Sequence, residues 1–512
     1  MRVANTIVAL LVAALGLSAG AATPEINPAA LIEHIRFLAS DDLKGRASGT
    51  PELERAGDYI AAQFREAGLK PGGPDETWFQ PFQLDAGVTV GAGNSLTIRN
   101  GSRAIDLALN TSYYPLATPA GDTPAVPSAS LASVPLVFVG YGISAPGLRY
   151  DDYADVDVSG KAVLAFSHEP QEQNRFSRMN GNQPIPETSL YAKATAARKR
   201  GAVALLIVSD PVHRTDPANF TTFGLDPDID NLGIPVLRVR RDELAPFITA
   251  WELDRLARLI DTDLLPHSRA LPGATLDYTE FIARNRRTVR NVVGILPAAG
   301  PRRNEAIVIG AHYDHVGLGG RYSAVPDRTG EIHNGADDNA SGTASIIEIA
   351  KAAAADPTRF PRTLVFVAFS GEERGLLGSS YYASHPIVPI SDTVTMLNLD
   401  MVGRLRGSVD VSGLDGAPSL LADLGAAARA AGNIAIRQEG PGSGRSDDFP
   451  FLELGVPAIN FFTGFHGDYH RPSDDWQRIN AQGAARVATL ALELAARIAA
   501  RPERPEFTPP PR

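Results

Sequence analysis

Apolar residues recur at three- and four-residue spacing through LIEHIRFLASDDLKGR and ELERAGDYIAAQFREAGLK, between Pro28 and Gly72, and the runs close on glycines. That spacing predicts two helices. From Asp85 to Leu276 the texture changes to short β-branched runs, PLVFVGYGI, KAVLAFS, AVALLIVSD and GIPVLRV, broken by Gly, Pro and Asp. These predict a separate strand-rich domain over 85–285 with one or two helices, the basic residues of ETSLYAKATAARKRG forming a solvated face. Beyond Arg286 the pattern alternates. NVVGIL, AIVIGAH, TLVFVAFS, VTMLNLD and VPAINFF read as buried strands, and SGTASIIEIAKAAAA, APSLLADLGAAARAAG and AQGAARVATLALELAARIAA as helices, the first capped by Ser341. Alternation of this kind implies an α/β domain with a mostly parallel sheet flanked by helices. Residues 28–84 form its N-terminal part and 286–500 its main part, and 501–512 is read as a disordered, Pro-rich tail.

The first 22 residues carry a basic start, an apolar run from Ile7 to Leu17 and a small-residue end, the pattern of a cleaved secretory signal. An exported chain, periplasmic or secreted, without stable membrane association after cleavage is the expectation. Hydrophobic residues make up 44% of 512, enough for a sizeable core. The net charge of -10 disfavours a nucleic-acid partner, because phosphate binding draws on clustered Lys and Arg. The absence of Cys removes thiolate ligands, thiol nucleophiles, disulfides and a lipoprotein anchor.

Chemistry concentrates at the ends of the apolar runs of the α/β part. His312 closes AIVIGAH, Glu373 follows TLVFVAFS, Asp400 closes VTMLNLD, His470 lies beyond VPAINFF, and Asp337 stands in the loop that leads into the helix near Ser341. Sites in open parallel sheets form outside the carboxyl ends of the strands, so these scattered residues are delivered to one edge. Two imidazoles and three carboxylates are a donor set for two Zn²⁺ ions sharing one carboxylate. Asp314, two residues from His312, is placed to accept the imidazole N–H. Glu372 and Glu373 cannot both point the same way, which assigns Glu373 to metal and Glu372 to the general base.

HxD in GAHYDHVG, the paired aspartates of NGADDNASG, the paired glutamates of SGEERGLLGS, NLDMVGR and the final Tyr-His together resemble the double-zinc aminopeptidases of clan MH. That group also includes glutamate carboxypeptidase II, the glutaminyl cyclases and the catalytically inert transferrin receptor. The inserted segment, with VFVGYGI, YDDYADVDVSGKAVL and KRGAVALLIV, resembles a protease-associated domain. The resemblance implies an exopeptidase acting on peptides with two zinc ions per chain. It implies that Asp337 bridges them, with His312 and Asp400 on one ion, Glu373 and His470 on the other, and a cis peptide between Asp337 and Asp338. It further implies that Tyr469 stabilises the oxyanion and that Arg445 contacts substrate, although Asp448 stands where many relatives have histidine. The alternatives within the resemblance are a glutamate-releasing carboxypeptidase or dipeptidase, a glutaminyl cyclase, and a receptor-like module without catalysis.

Overall fold

A computed structural model describes residues 26–508, apart from 120, 180–184, 214–230, 321, 326–327, 329 and 441–444. The segment read as a secretory signal lies outside the described residues. Two compact units emerge, one formed by residues up to Leu84 together with those from Thr288 onward, the other by Asp85–Arg287.

In the first unit a nine-stranded sheet runs in the order Lys70–Pro71, Ile282–Leu296, Thr363–Phe369, Ala306–His312, Thr393–Leu399, Ala458–Phe462, Ser408–Ser412, Ala435–Gln438, with Phe79–Val90 also paired to Ile282–Leu296. The ladders joining Thr363–Phe369, Ala306–His312, Thr393–Leu399 and Ala458–Phe462 are parallel. Ala306–His312, Thr363–Phe369 and Thr393–Leu399 are mostly apolar and buried on both faces, as a helix-covered parallel sheet requires. Antiparallel ladders bring in Ile282–Leu296 on one side and Ser408–Ser412 on the other. The fold is therefore mixed α/β, with a parallel centre.

Helices Pro28–Leu38, Pro51–Glu66, Gly342–Ala355 and Ala481–Ala500 contribute Leu31, Ile35, Phe64, Ile346, Leu490 and Leu494 to one continuous core. Burial of each such side chain stabilises by about 1.5–3 kcal/mol. The end of the chain departs from the disordered tail that its composition suggested. Thr508 N donates to Gly416 O at 2.8 Å and Phe507 packs against the core, so the stretch up to 508 is held in place.

The second unit is an eight-stranded sheet in the order Arg103–Leu107, Ser95–Asn100, Arg269–Glu280, Ala129–Phe138, Ala162–Phe166, Ala204–Val208, Val236–Val239, Tyr113–Ala117. Its longer helices are Leu190–Lys199 and Leu253–Asp263. Lys193 departs from the solvated face read for the first of these. It is buried, and its Nζ donates to Phe166 O at 3.1 Å and His168 O at 2.6 Å. Among the described residues no helix is long and apolar enough to cross a membrane.

Candidate metal centre

The parallel strands release their charged residues at one edge. His312 is the last residue of its strand, Asp400 directly follows Leu399, and Glu372 and Glu373 occupy the turn after Phe369. His312 Nε2 lies 3.4 Å from Asp400 Oδ1 and 3.9 Å from Glu372 Oε2. A second group gathers His315, Asp338, Glu373 and His470, and within each group the donor atoms lie within 4.8 Å of one another. His470 Nε2 is 3.1 Å from Glu373 Oε2, and His315 Nδ1 is 2.7 Å from Glu373 Oε1. Asp338 joins the two groups, its Oδ1 3.3 Å from His312 Nε2 and its Oδ2 3.1 Å from His470 Nε2.

Asp338, not Asp337, thus occupies the shared position. Asp337 Oδ1 accepts Gly403 N at 2.6 Å and the Ser341 hydroxyl at 3.1 Å, and its Oδ2 faces His466 Nε2 at 3.1 Å. Successive side chains of a non-helical stretch point opposite ways, so only one of the two aspartates enters the site. The turn is set by Gly335 at φ 58°, where a Cβ would come within 2.2 Å of the Asp338 carbonyl oxygen and 2.5 Å of the His315 ring. Only glycine fits there. The cis peptide also lies one residue further on, between Asp338 and Asn339. The helix that follows is capped by Asn339, whose Oδ1 accepts Gly342 N at 2.9 Å, while the Ser341 hydroxyl donates to Asp337 O at 2.7 Å instead of capping.

Asp314 also differs from its expected role. Its carboxylate is 3.8 Å from His312 Nδ1, beyond hydrogen-bond length, and that nitrogen faces the Asp314 carbonyl oxygen at 3.2 Å. The carboxylate instead accepts Glu372 N at 3.1 Å and the Ser48 hydroxyl at 2.5 Å, which fixes the backbone of the glutamate turn. Tyr469 and Arg445 line a cavity of about 660 Å³ that includes His312, Asp338, Glu372, Glu373, Asp400 and His470. Met401, Phe462 and Phe465 supply apolar wall. Leu376, Met401 and His470, all bordering this cavity, adopt left-handed φ of 58°, 51° and 53°, strain of the kind that clusters at functional sites.

Pattern reading passed over His315, which stands in the same turn as His312 within HYDH. It also passed over Arg46, a buried side chain from the N-terminal segment. The Arg46 guanidinium donates to Tyr313 O at 2.9 Å, Asn334 O at 2.7 Å and Gly335 O at 3.0 Å, bracing the two loops that carry His312 and Asp338. Nothing in its spacing marks it, because its partners are carbonyl groups remote in sequence.

Carboxylates outnumber imidazoles in this enclosed space, and their proton affinities record the crowding. Burial, with Glu373, Asp400 and Asp447 nearby, lifts the Glu372 carboxyl well above the ordinary range. Burial opposes protonation of His470, yet Asp338 and Glu373 push it up to about 11. Against burial, His312 and His470 hold the Asp338 carboxylate well below its usual value. Burial raises Asp447 to about 7 and Asp448 to about 8. Asp400 Oδ1 is buried and accepts no hydrogen bond among the described residues. Convergent nitrogen and oxygen donors, an excess of negative charge and an unsatisfied carboxylate oxygen fit divalent zinc.

Residues 291–495 match the model of peptidase family M28. The chain is 25% identical over 368 residues to aminopeptidase YwaD of Bacillus subtilis (strain 168), an alignment covering 68% of this chain and 66% of that protein. It is 27% identical over 233 residues to leupeptin-inactivating enzyme 1 of Streptomyces exfoliatus, covering 41% of this chain and 47% of the relative. The chain thus spans less than two thirds of either. A solved aminopeptidase from Aneurinibacillus sp. strain AM-1 superimposes with a TM-score of 0.55 at 25% identity, covering 96% of this chain and 97% of that one. Residues 291–495 thus carry the likeness to peptidase family M28.

Proposed function

We propose that the protein is an exported, zinc-dependent exopeptidase that removes N-terminal residues from peptides, holding two zinc ions per chain. The observation that carries this reading is Asp338 between two donor groups, His312 with Asp400 on one side and Glu373 with His470 on the other. His315 supports the second side through Glu373. Zinc held there would polarise a scissile carbonyl and lower the pKa of bound water to about 7.

Glu372 is the general base. Its carboxylate faces the cavity, carries raised proton affinity from burial and neighbouring acids, and has its backbone N–H pinned by Asp314. It takes the proton of the attacking water and passes it to the departing amine. The Tyr469 phenol, kept protonated by burial and by Asp338 and Glu373, donates to the developing oxyanion. The metal ligands aside, the cavity walls carry Asp410, Glu439 and Arg445, an acidic balance overall. Such a field attracts a free α-ammonium group and repels a C-terminal carboxylate, which favours the aminopeptidase over the carboxypeptidase reading. The test is hydrolysis of an aminoacyl-anilide panel beside N-blocked and free-amine peptides, with zinc measured on the same preparation. Cleavage of free-amine substrates alone supports the proposal, and cleavage confined to N-blocked peptides refutes it.

A further inference from the structure

The segment that carries His470 folds back on the loop that presents Asp338, and the buried Asp474 side chain ties the two backbones together. Asp474 Oδ2 accepts two successive backbone N–H groups, Asp337 N at 2.9 Å and Asp338 N at 3.1 Å. The Asp474 carbonyl oxygen accepts the preceding one, Ala336 N, at 3.0 Å. Three consecutive N–H groups therefore converge on a single residue, the concave arrangement that binds anions, here filled by a carboxylate of the same chain. The other oxygen, Oδ1, accepts Arg404 Nη2 at 2.8 Å, so the buried charge is compensated. Arg404 follows Asp400 by four residues and its backbone N–H is tied to the Thr463 hydroxyl at 3.2 Å, which joins a third ligand-bearing loop to the same anchor.

On the reading of this cavity as a metal centre, we infer that Asp474 is a positioning residue that fixes the Asp338 carboxylate between the two donor groups. It acts through the backbone. Rotation of the 336–338 segment would swing the Asp338 oxygens away from His312 and His470, and the anionic cap opposes that rotation with charge-assisted hydrogen bonds. Asparagine in its place keeps size and shape but offers a neutral acceptor and sets an amide N–H₂ against either the N–H groups or the guanidinium.

The experiment is zinc affinity by competition with a chromophoric chelator, measured on folded Asp474→Asn, with kcat and KM taken at saturating zinc. The expected result is a loss of about 10- to 100-fold in affinity for at least one zinc, the size typical of residues that orient ligands, with kcat reduced and KM little changed. Arg404→Met, which leaves the three N–H contacts in place, should give a smaller loss of affinity and serves if Asp474→Asn does not fold. Asp152→Asn, a buried carboxylate of the other unit, is the control and should leave zinc affinity unchanged. Zinc affinity in Asp474→Asn and Arg404→Met equal to the unsubstituted protein, whatever their melting temperatures, would overturn the inference. Failure of the unsubstituted protein to bind zinc would instead sink the metal-centre reading itself.

Discussion

Both units bury carboxylates, but they treat them differently. In the inserted unit Asp152 Oδ2 accepts Tyr141 N and Ile143 N, each at 3.0 Å, and its Oδ1 accepts the Tyr150 hydroxyl at 2.8 Å. Glu280 is likewise surrounded by the hydroxyls of Thr118, Ser128 and Tyr278. Each of these acids stands apart from the other and has its donors, the pattern of a satisfied structural group. In the first unit Asp338, Glu372, Glu373, Asp400 and Asp447 crowd together, and Asp400 Oδ1 and Asp448 Oδ2 lack a hydrogen-bond partner among the described residues. Burial alone therefore does not mark a site. Convergence of like charges with incomplete hydrogen bonding does, because a bound cation relieves the repulsion without protonating the acids.

Substitutions can break this comparison, and the largest effect is expected at the shared carboxylate. Asp338→Ala should release zinc and lower kcat/KM by at least about 10⁴-fold, the upper end of what a single proton-transfer group contributes. Activity within tenfold of the unsubstituted protein would remove Asp338 from the centre. Glu372→Gln should retain zinc, by elemental analysis, and lose about 10²- to 10⁴-fold in kcat. Tyr469→Phe should cost no more than about 10²-fold in kcat, with KM nearly unchanged, if the phenol serves the oxyanion alone. Asp152→Ala inverts the pattern. It strands the Tyr141 and Ile143 N–H groups and should destabilise the chain by about 3 kcal/mol in denaturant unfolding, while the turnover of the folded, zinc-loaded fraction stays the same. A specific loss of turnover there would mean that the two kinds of buried acid are not distinct.

Much of the first unit was legible in its apolar runs, because strands buried on both faces are continuous stretches such as AIVIGAH and TLVFVAFS bounded by turn residues. The marginal strands Ser408–Ser412 and Ala435–Gln438 were not, since they are short and interrupted by Asp410, Arg437 and Gln438. Strand order in the inserted unit also escaped the pattern. Its partners, such as Ser95–Asn100 with Arg269–Glu280, are set by long-range pairing that periodicity does not encode. At the site, residue types and strand-end placement pointed to His312, Glu373, Asp400 and His470. The choice between Asp337 and Asp338 was different. Both are aspartates in one loop, and which of them faces His312 and His470 depends on the left-handed turn at Gly335 and the non-helical angles at Asp338. Asp314 illustrates the same limit, since its spacing from His312 is right while its carboxylate is taken by Glu372 N and Ser48.

The central claim is that Asp338, and not its neighbour, holds the two halves of the centre together. Zinc per chain, measured by elemental analysis on protein purified without chelator, tests it directly in the unsubstituted protein, Asp338→Asn and Asp337→Asn. Two zinc ions in the unsubstituted protein and in Asp337→Asn, with at least one lost in Asp338→Asn, is the predicted result. Full zinc in Asp338→Asn beside loss in Asp337→Asn, or no zinc in any of the three, would contradict it.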